Sequence, residues 1–148
     1  MNRLRVVFDA NVFIAAFLGR KKKGLGAARS CFELARLRKI HLICSPEIIN
    51  EVARIMRDKF DWSEENVNDA VKIMRAAIRE YVKGTTRITA ISHESDNRIL
   101  ECALVANADL IISGDRHLLE LKEYQRISIM RTADLLHIIG EKPAEDMP

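Results

Sequence analysis

The sequence predicts a three-layer α/β domain with a mostly parallel central sheet. Two observations carry that expectation. Short β-rich runs alternate with helix-patterned segments from end to end, and Leu110-Ile111-Ile112-Ser113 is a continuous apolar run of the kind that buried parallel strands use. A third sets the scale: the chain has 148 residues, enough for one ordinary domain. A domain of this size buries about 70% of its unfolded surface, so it needs no disulfide or structural metal to fold.

Leu4 to Phe8 is β-rich and ends at Asp9, a first strand. Asn11 to Leu18 is apolar at nearly every position and reads as a short buried helix, followed by a basic loop, Gly19 to Gly26. Helical spacing through Ala28, Cys31, Leu34 and Ala35 places a helix over Ala27 to Lys39, and His41 to Cys44 is a second strand. Ser45-Pro46-Glu47 combines a side-chain cap, proline at the first helical position and an acid in the first turn. The helix it starts turns Ile48, Val52, Ile55 and Met56 inward. The next begins at Ser63 and keeps its stripe through Val67, Ala70, Val71, Met74, Ala77, Ile78 and Tyr81, with Gly84 as its C-cap. Arg87 to Ile91 is a weakly patterned third strand, and Asp96 to Ala106 is helical. Ile127 to Ile129 forms a last strand, and Thr132 caps a final helix that stops at Gly140. One domain over residues 1–140 with a polar tail over 141–148 is the expected organisation.

Hydrophobic residues make up 48% and charged residues 30%, a globular composition, while aromatics at 5% imply an aliphatic core. Three separated cysteines (Cys31, Cys44, Cys102) argue against a disulfide framework and against a thiolate zinc site. With no apolar run of membrane-spanning length and no signal-peptide pattern, a cytoplasmic protein without membrane contact is expected. Net charge is +3, from 24 basic and 21 acidic side chains, too weak on its own to mark a nucleic-acid binder.

The acids are more informative. Open α/β sheets bind ligands outside the carboxyl ends of their strands. Asp9 follows the first strand directly, and Asp115 lies just past the Leu110 to Ser113 strand, with Gly114 allowing a tight turn. Asp96 opens a helix, where it would also serve as a cap, and Glu51 lies two turns into the Ser45 helix. Taken singly, Glu51 is better explained as a solvated helix residue. Four carboxylates on one edge repel one another, at about 4 kcal/mol for two charges 4 Å apart at an effective dielectric near 20. A divalent cation is the natural counter-charge, and oxygen-only ligands select Mg²⁺ or Mn²⁺ over zinc. The chemistry expected of such a site is metal-assisted phosphodiester hydrolysis.

Phe8-Asp9-Ala10-Asn11-Val12, the Ser45-Pro46-Glu47 helix carrying Glu51, the run Asp96 to Ala103 and the run Ala108 to Leu119 together resemble the motifs of PIN-domain proteins. Within them the sequence is similar to the prokaryotic proteins grouped with VapC-type toxins of toxin–antitoxin systems. The resemblance implies a PIN-like fold and a Mg²⁺- or Mn²⁺-dependent endoribonuclease acting on single-stranded RNA, leaving a 5′-phosphate and a 3′-hydroxyl. Asp9, Asp96 and Asp115 would be its metal ligands, and Glu51 would complete the catalytic set. Asn11 and Ser113 would support it by hydrogen bonds. It also implies a homodimer and, for a toxin, a small antitoxin partner. Glu94-Ser95 stands where many relatives have Pro and Asp, which leaves open whether Glu94 adds a ligand.

An acidic pocket needs cations at its rim to receive RNA, single-stranded or structured, and Arg20, Lys21, Lys22 and Lys23 are the candidates for phosphate contact. Trp62 and Tyr124 are expected to pack in the core rather than stack on bases, and His117 is expected on the surface or in a loop, with a place near the pocket as the alternative. Two other classes of function remain. One is a catalytically inactive PIN-fold module that binds RNA or protein. The other is a phosphoaspartyl phosphatase or receiver-like domain with Asp9 as nucleophile, disfavoured because Asn11 stands where a second Asp would be needed.

Overall fold

The structure, a computed structural model, describes residues 3–18, 26–83 and 89–140. Its six strands form one sheet in the order β3-β2-β1-β4-β6-β5. These are β1 (Arg5–Phe8), β2 (His41–Cys44), β3 (Glu80–Tyr81), β4 (Leu110–Ile112), β5 (Glu123–Tyr124) and β6 (Ile127–Met130). Every pairing is parallel except β5 with β6, the α/β architecture expected. Among the described residues seven helices connect and cover the strands: α1 (Ala10–Leu18), α2 (Gly26–Arg36), α3 (Pro46–Asp58), α4 (Glu64–Ala77), α5 (Glu94–Val105), α6 (Arg116–Leu121) and α7 (Thr132–Ile139).

β1 carries the central position because Val6, Val7 and Phe8 are fully buried and hydrogen-bond on both sides. Val6 and Val7 lie opposite Leu42 and Ile43 of β2, and opposite Leu110 and Ile111 of β4. The chain leaves β1 towards β2 and β3, then returns to the other side of β1 as β4. Strand order therefore reverses between β1 and β4, and their carboxyl ends open a crevice there. Helix α5 packs across β1, β2 and β4, while α3 touches α1, α4 and α5.

The helix starts follow local chemistry. Ser45 accepts from the Ile48 N–H at 3.3 Å ahead of Pro46, and Ser63 accepts from the Asn66 N–H at 3.1 Å. All four residues of the expected α3 stripe are buried, Val52 completely. Gly140 ends α7 in the left-handed conformation, φ 84°, that glycine adopts without strain.

Four expectations about elements are corrected. Helix α4 stops at Ala77: Ile78 turns extended, and the chain pairs with β2 through Arg79 N–H to Leu42 O (2.9 Å) and Val82 N–H to Cys44 O (3.0 Å). Apolar spacing alone could not register that an open sheet edge competes for Glu80 and Tyr81; the expected cap Gly84 lies outside the described residues. Of the expected strand at Arg87 to Ile91, residues 89–91 are described and form no strand. Helix α5 begins at Glu94, with His93 at the cap position, so Asp96 is inside the first turn rather than its cap. Arg131, not Thr132, precedes α7, and its N–H donates to the Asp134 carboxylate at 3.1 Å.

The core is aliphatic as composition implied, with one aromatic addition. Phe8, Phe13, Phe17 and Phe32 form a chain of tilted and edge-on ring contacts, centroids 5.5 to 6.2 Å apart. Trp62 and Tyr124 pack partly buried against the core. Cys31, Cys44 and Cys102 are free and buried, and burial pushes the Cys31 and Cys44 thiols up to about 12, which leaves them inert. Among the described residues no helix is long and apolar enough to cross a membrane.

Candidate functional site

At the crevice between β1 and β4, backbone pairing fixes two carboxylates. The Asp9 N–H donates to Ile112 O at 2.9 Å, tying the first residue after β1 to the last of β4. Ser113 continues from β4, its N–H donating to Met130 O at 3.0 Å. Its hydroxyl then links the two acids: Oγ donates to Asp9 Oδ2 at 2.7 Å and accepts from the Asp115 N–H at 2.9 Å. Ser113 is fully buried and Asp9 only 6% exposed, so this relay is a short internal strut.

Asp115 also has a structural duty that the sequence reading missed. Its Oδ1 accepts from the His117 and Leu118 N–H groups, at 2.8 and 3.2 Å, and so caps α6. The glycine before it is not needed for the turn. Gly114 has no positive φ, and a Cβ placed there would meet nothing within 4 Å.

A cavity of about 260 Å³ opens between these strand ends and helices α3 and α5. Asp9, Asn11, Glu51, Asp96 and Asp115 all line it, so the fold brings the four expected carboxylates and Asn11 to one cavity. Ser113 sits behind it, holding Asp9. Arg20, Lys21, Lys22 and Lys23 lie outside the described residues.

Charge within the cavity is under-compensated. Burial raises the Asp9 carboxyl above the usual range, with the neighbouring Asp115 charge adding to it and the Ser113 hydrogen bond opposing it. Burial, with the charges of Asp115 and Asp9 behind it, raises Asp96 to about 6. Glu51 differs in having a cation of its own: Arg54 one turn on reaches it at 2.6 and 3.2 Å. Arg98 borders the cavity but is committed to Glu101 at 2.7 Å and Glu94 at 3.1 Å. Glu94 therefore turns to Arg98 and is absent from the cavity wall.

Glu47, His93 and Arg98 line the cavity without having been anticipated. Glu47 was legible in principle, since it lies four residues before Glu51 and so on the same face of α3. His93 was not, because only the approach of α5 to the end of β4 stacks it on His117, ring centroids 4.3 Å apart and planes 33° apart. Asn97 holds that approach, accepting from the Ile91 N–H at 3.0 Å and donating to the Ile91 carbonyl at 2.6 Å.

The donor chemistry suits a hard divalent cation: carboxylate oxygens from four segments of the chain, with Asp9 and Asp96 raised in affinity for a proton by burial first and by neighbouring negative charge second. As they stand, no group of three or more acid, histidine or cysteine side chains among the described residues lies at metal-ligating spacing. Mutual repulsion of bare carboxylates acts towards such a spread arrangement.

Fold and cavity define an α/β domain with an acidic ligand site at the strand-order reversal of a parallel sheet. More particularly, the chain belongs to the PIN-domain family, whose sequence profile matches residues 5–117. Members of that family are generally nucleases and generally use divalent metal ions. A search of curated proteins returned no match to this chain.

Proposed function

We propose that this protein is an endoribonuclease that hydrolyses single-stranded RNA with Mg²⁺ or Mn²⁺. One observation carries the reading: Asp9, Asp96 and Asp115 line one cavity in which burial and mutual repulsion leave negative charge without a counter-ion. Asp9, Asp96 and Asp115 would hold the cation, which supplies charge neutralisation on the phosphate and acidifies a water when bound. Glu51, which lines the same cavity and is paired with Arg54, is the group that orients the attacking water and takes its proton. Ser113 positions Asp9, and Asn11, beside it on the wall, hydrogen-bonds the water or the phosphate. A phosphate held here meets water in line with its leaving 3′-oxygen, which leaves a 5′-phosphate on the product.

The same reading makes the protein a cytoplasmic homodimer and the toxin of a toxin–antitoxin pair, held in check by a small protein that covers the cavity. Growth arrest on expression of the wild type, and not of Asp9→Asn, tests that part. A second reading, a module that binds RNA without cutting it, draws on the absence of a three-ligand group at metal spacing among the described residues.

The deciding experiment incubates structured and unstructured RNA with the wild type, Asp9→Asn and Asp115→Asn, each with Mg²⁺, Mn²⁺ or chelator. Cation-dependent cleavage by the wild type alone supports the nuclease. Equal cleavage by all three means a contaminant, and retained RNA binding without cleavage moves the protein to the second reading.

A further inference from the structure

We propose that a second cavity, of about 490 Å³, is the subsite for the RNA phosphate adjacent to the one at the carboxylates. This rests on the ribonuclease reading above and gives the strand a direction across the site. The two cavities meet at Asn11 and Asp115, which line both. Beyond that shared wall the chemistry inverts. The first cavity is bordered by Glu47 and Glu51, with Arg98 beside them bound to Glu94 and Glu101, whereas the second is bordered by Arg116 and Arg131, with Asp115 its only carboxylate among the described residues.

Both guanidinium groups are available. Arg131 makes no salt bridge among the described residues; its backbone N–H donates to the Asp134 carboxylate and its carbonyl accepts from the Asp134 and Leu135 N–H groups, which leaves the guanidinium outside these bonds. Arg116 meets Glu120 at 3.7 Å with both side chains more than 60% exposed, a contact that contributes little. Guanidinium is the side-chain group best matched to phosphate, offering paired N–H donors without losing charge. A strand with one phosphate at the carboxylates must run on over one flank. The Glu47–Glu51 flank repels the next phosphate and the Arg116–Arg131 flank attracts it. The polyanion therefore leaves over the arginines.

Gly114 provides a probe that spares the acids. It lines the second cavity, and a side chain there meets no atom within 4 Å of its Cβ, so Gly114→Leu fills space without forcing the fold. The experiment is fluorescence anisotropy of a labelled single-stranded oligoribonucleotide in chelator, where no cleavage occurs, over a series of KCl concentrations. Expected is a fall in the slope of log K against log salt of about 0.7 for each arginine removed by Arg116→Ala and Arg131→Ala. Arg131→Lys should restore the slope, and Gly114→Leu should weaken binding while leaving the slope unchanged. Wild-type affinity and slope in both the double alanine variant and Gly114→Leu would overturn the subsite. So would no binding by the wild type, because the arginines need no metal. The nuclease reading fails separately: RNA left uncut in Mg²⁺ and Mn²⁺, with the arginine effects intact, refutes catalysis and leaves the subsite standing.

Discussion

Replacing Asp96 by Asn keeps the shape of the side chain and removes a charge that the folded protein opposes. Asp96 rises from 3.8 to about 6 because of burial first and the Asp115 and Asp9 charges second. The folded state therefore binds a proton more tightly than the unfolded chain, and metal-free stability falls as pH rises from about 4 to about 6, then levels. At about 1.4 kcal/mol per unit the ceiling is about 3 kcal/mol. Solvent reaching the cavity screens part of it, leaving about 1–2 kcal/mol. Asp96→Asn should thus match the wild type near pH 4 and melt roughly 2–8 °C higher at pH 7 in chelator, at about 2–4 °C per kcal/mol for a domain of this size. Millimolar Mg²⁺ or Mn²⁺ should narrow or reverse the gap, since a bound cation stabilises the wild type by mass action. Thermal denaturation from pH 4 to 8, with and without cation, is the assay. Equal melting at every pH in chelator, or a variant that is less stable there, would refute the electrostatic account.

Three further outcomes follow from single contacts. Ser113→Ala removes the hydroxyl between Asp9 and the Asp115 N–H and should cost about 1–3 kcal/mol in denaturant unfolding, with Ser113→Thr recovering part of it. Asp115→Asn keeps the α6 cap and should melt close to the wild type while losing cleavage; Asp115→Ala loses both, with about 1 kcal/mol of stability going with the cap. Arg98→Met removes the guanidinium that meets the nearly buried Glu101 carboxylate and should cost about 3–5 kcal/mol by chemical denaturation, a loss that the double change Arg98→Met with Glu101→Leu should largely restore.

Local chemistry made much of this protein legible from its sequence. Ser45-Pro46-Glu47 starts a helix wherever it occurs, because hydroxyl cap, fixed φ and helix dipole act within one turn. A short β-rich run marked β1 and a continuous apolar run marked β4 as a buried parallel strand, and so placed Asp9 and Asp115 at carboxyl ends. The errors have two causes, competition from distant chain and local elements too short to leave a pattern. Tyr81 keeps the helical spacing of Val67 and Met74, yet Glu80 and Tyr81 became an edge strand because β2 offered unpaired backbone groups. Asp115 looked like a bare ligand because its capping of α6 depends on a six-residue helix too short to show periodicity.

The sequence by itself determined the alternation of strands and helices, the aliphatic core and the identity of the four carboxylates, since each depends on spacing along the chain or on side-chain chemistry. Tertiary structure alone decided that strand order reverses between β1 and β4, which makes neighbours of acids separated by more than a hundred residues (Asp9 and Asp115). It decided that Ser113 braces Asp9, that His93 stacks on His117, that Arg98 belongs to Glu101 and Glu94, and that Arg116 and Arg131 share a cavity next to the acids. These depend on distances between segments far apart in sequence, fixed only when β1 pairs with β4 and α5 packs across both.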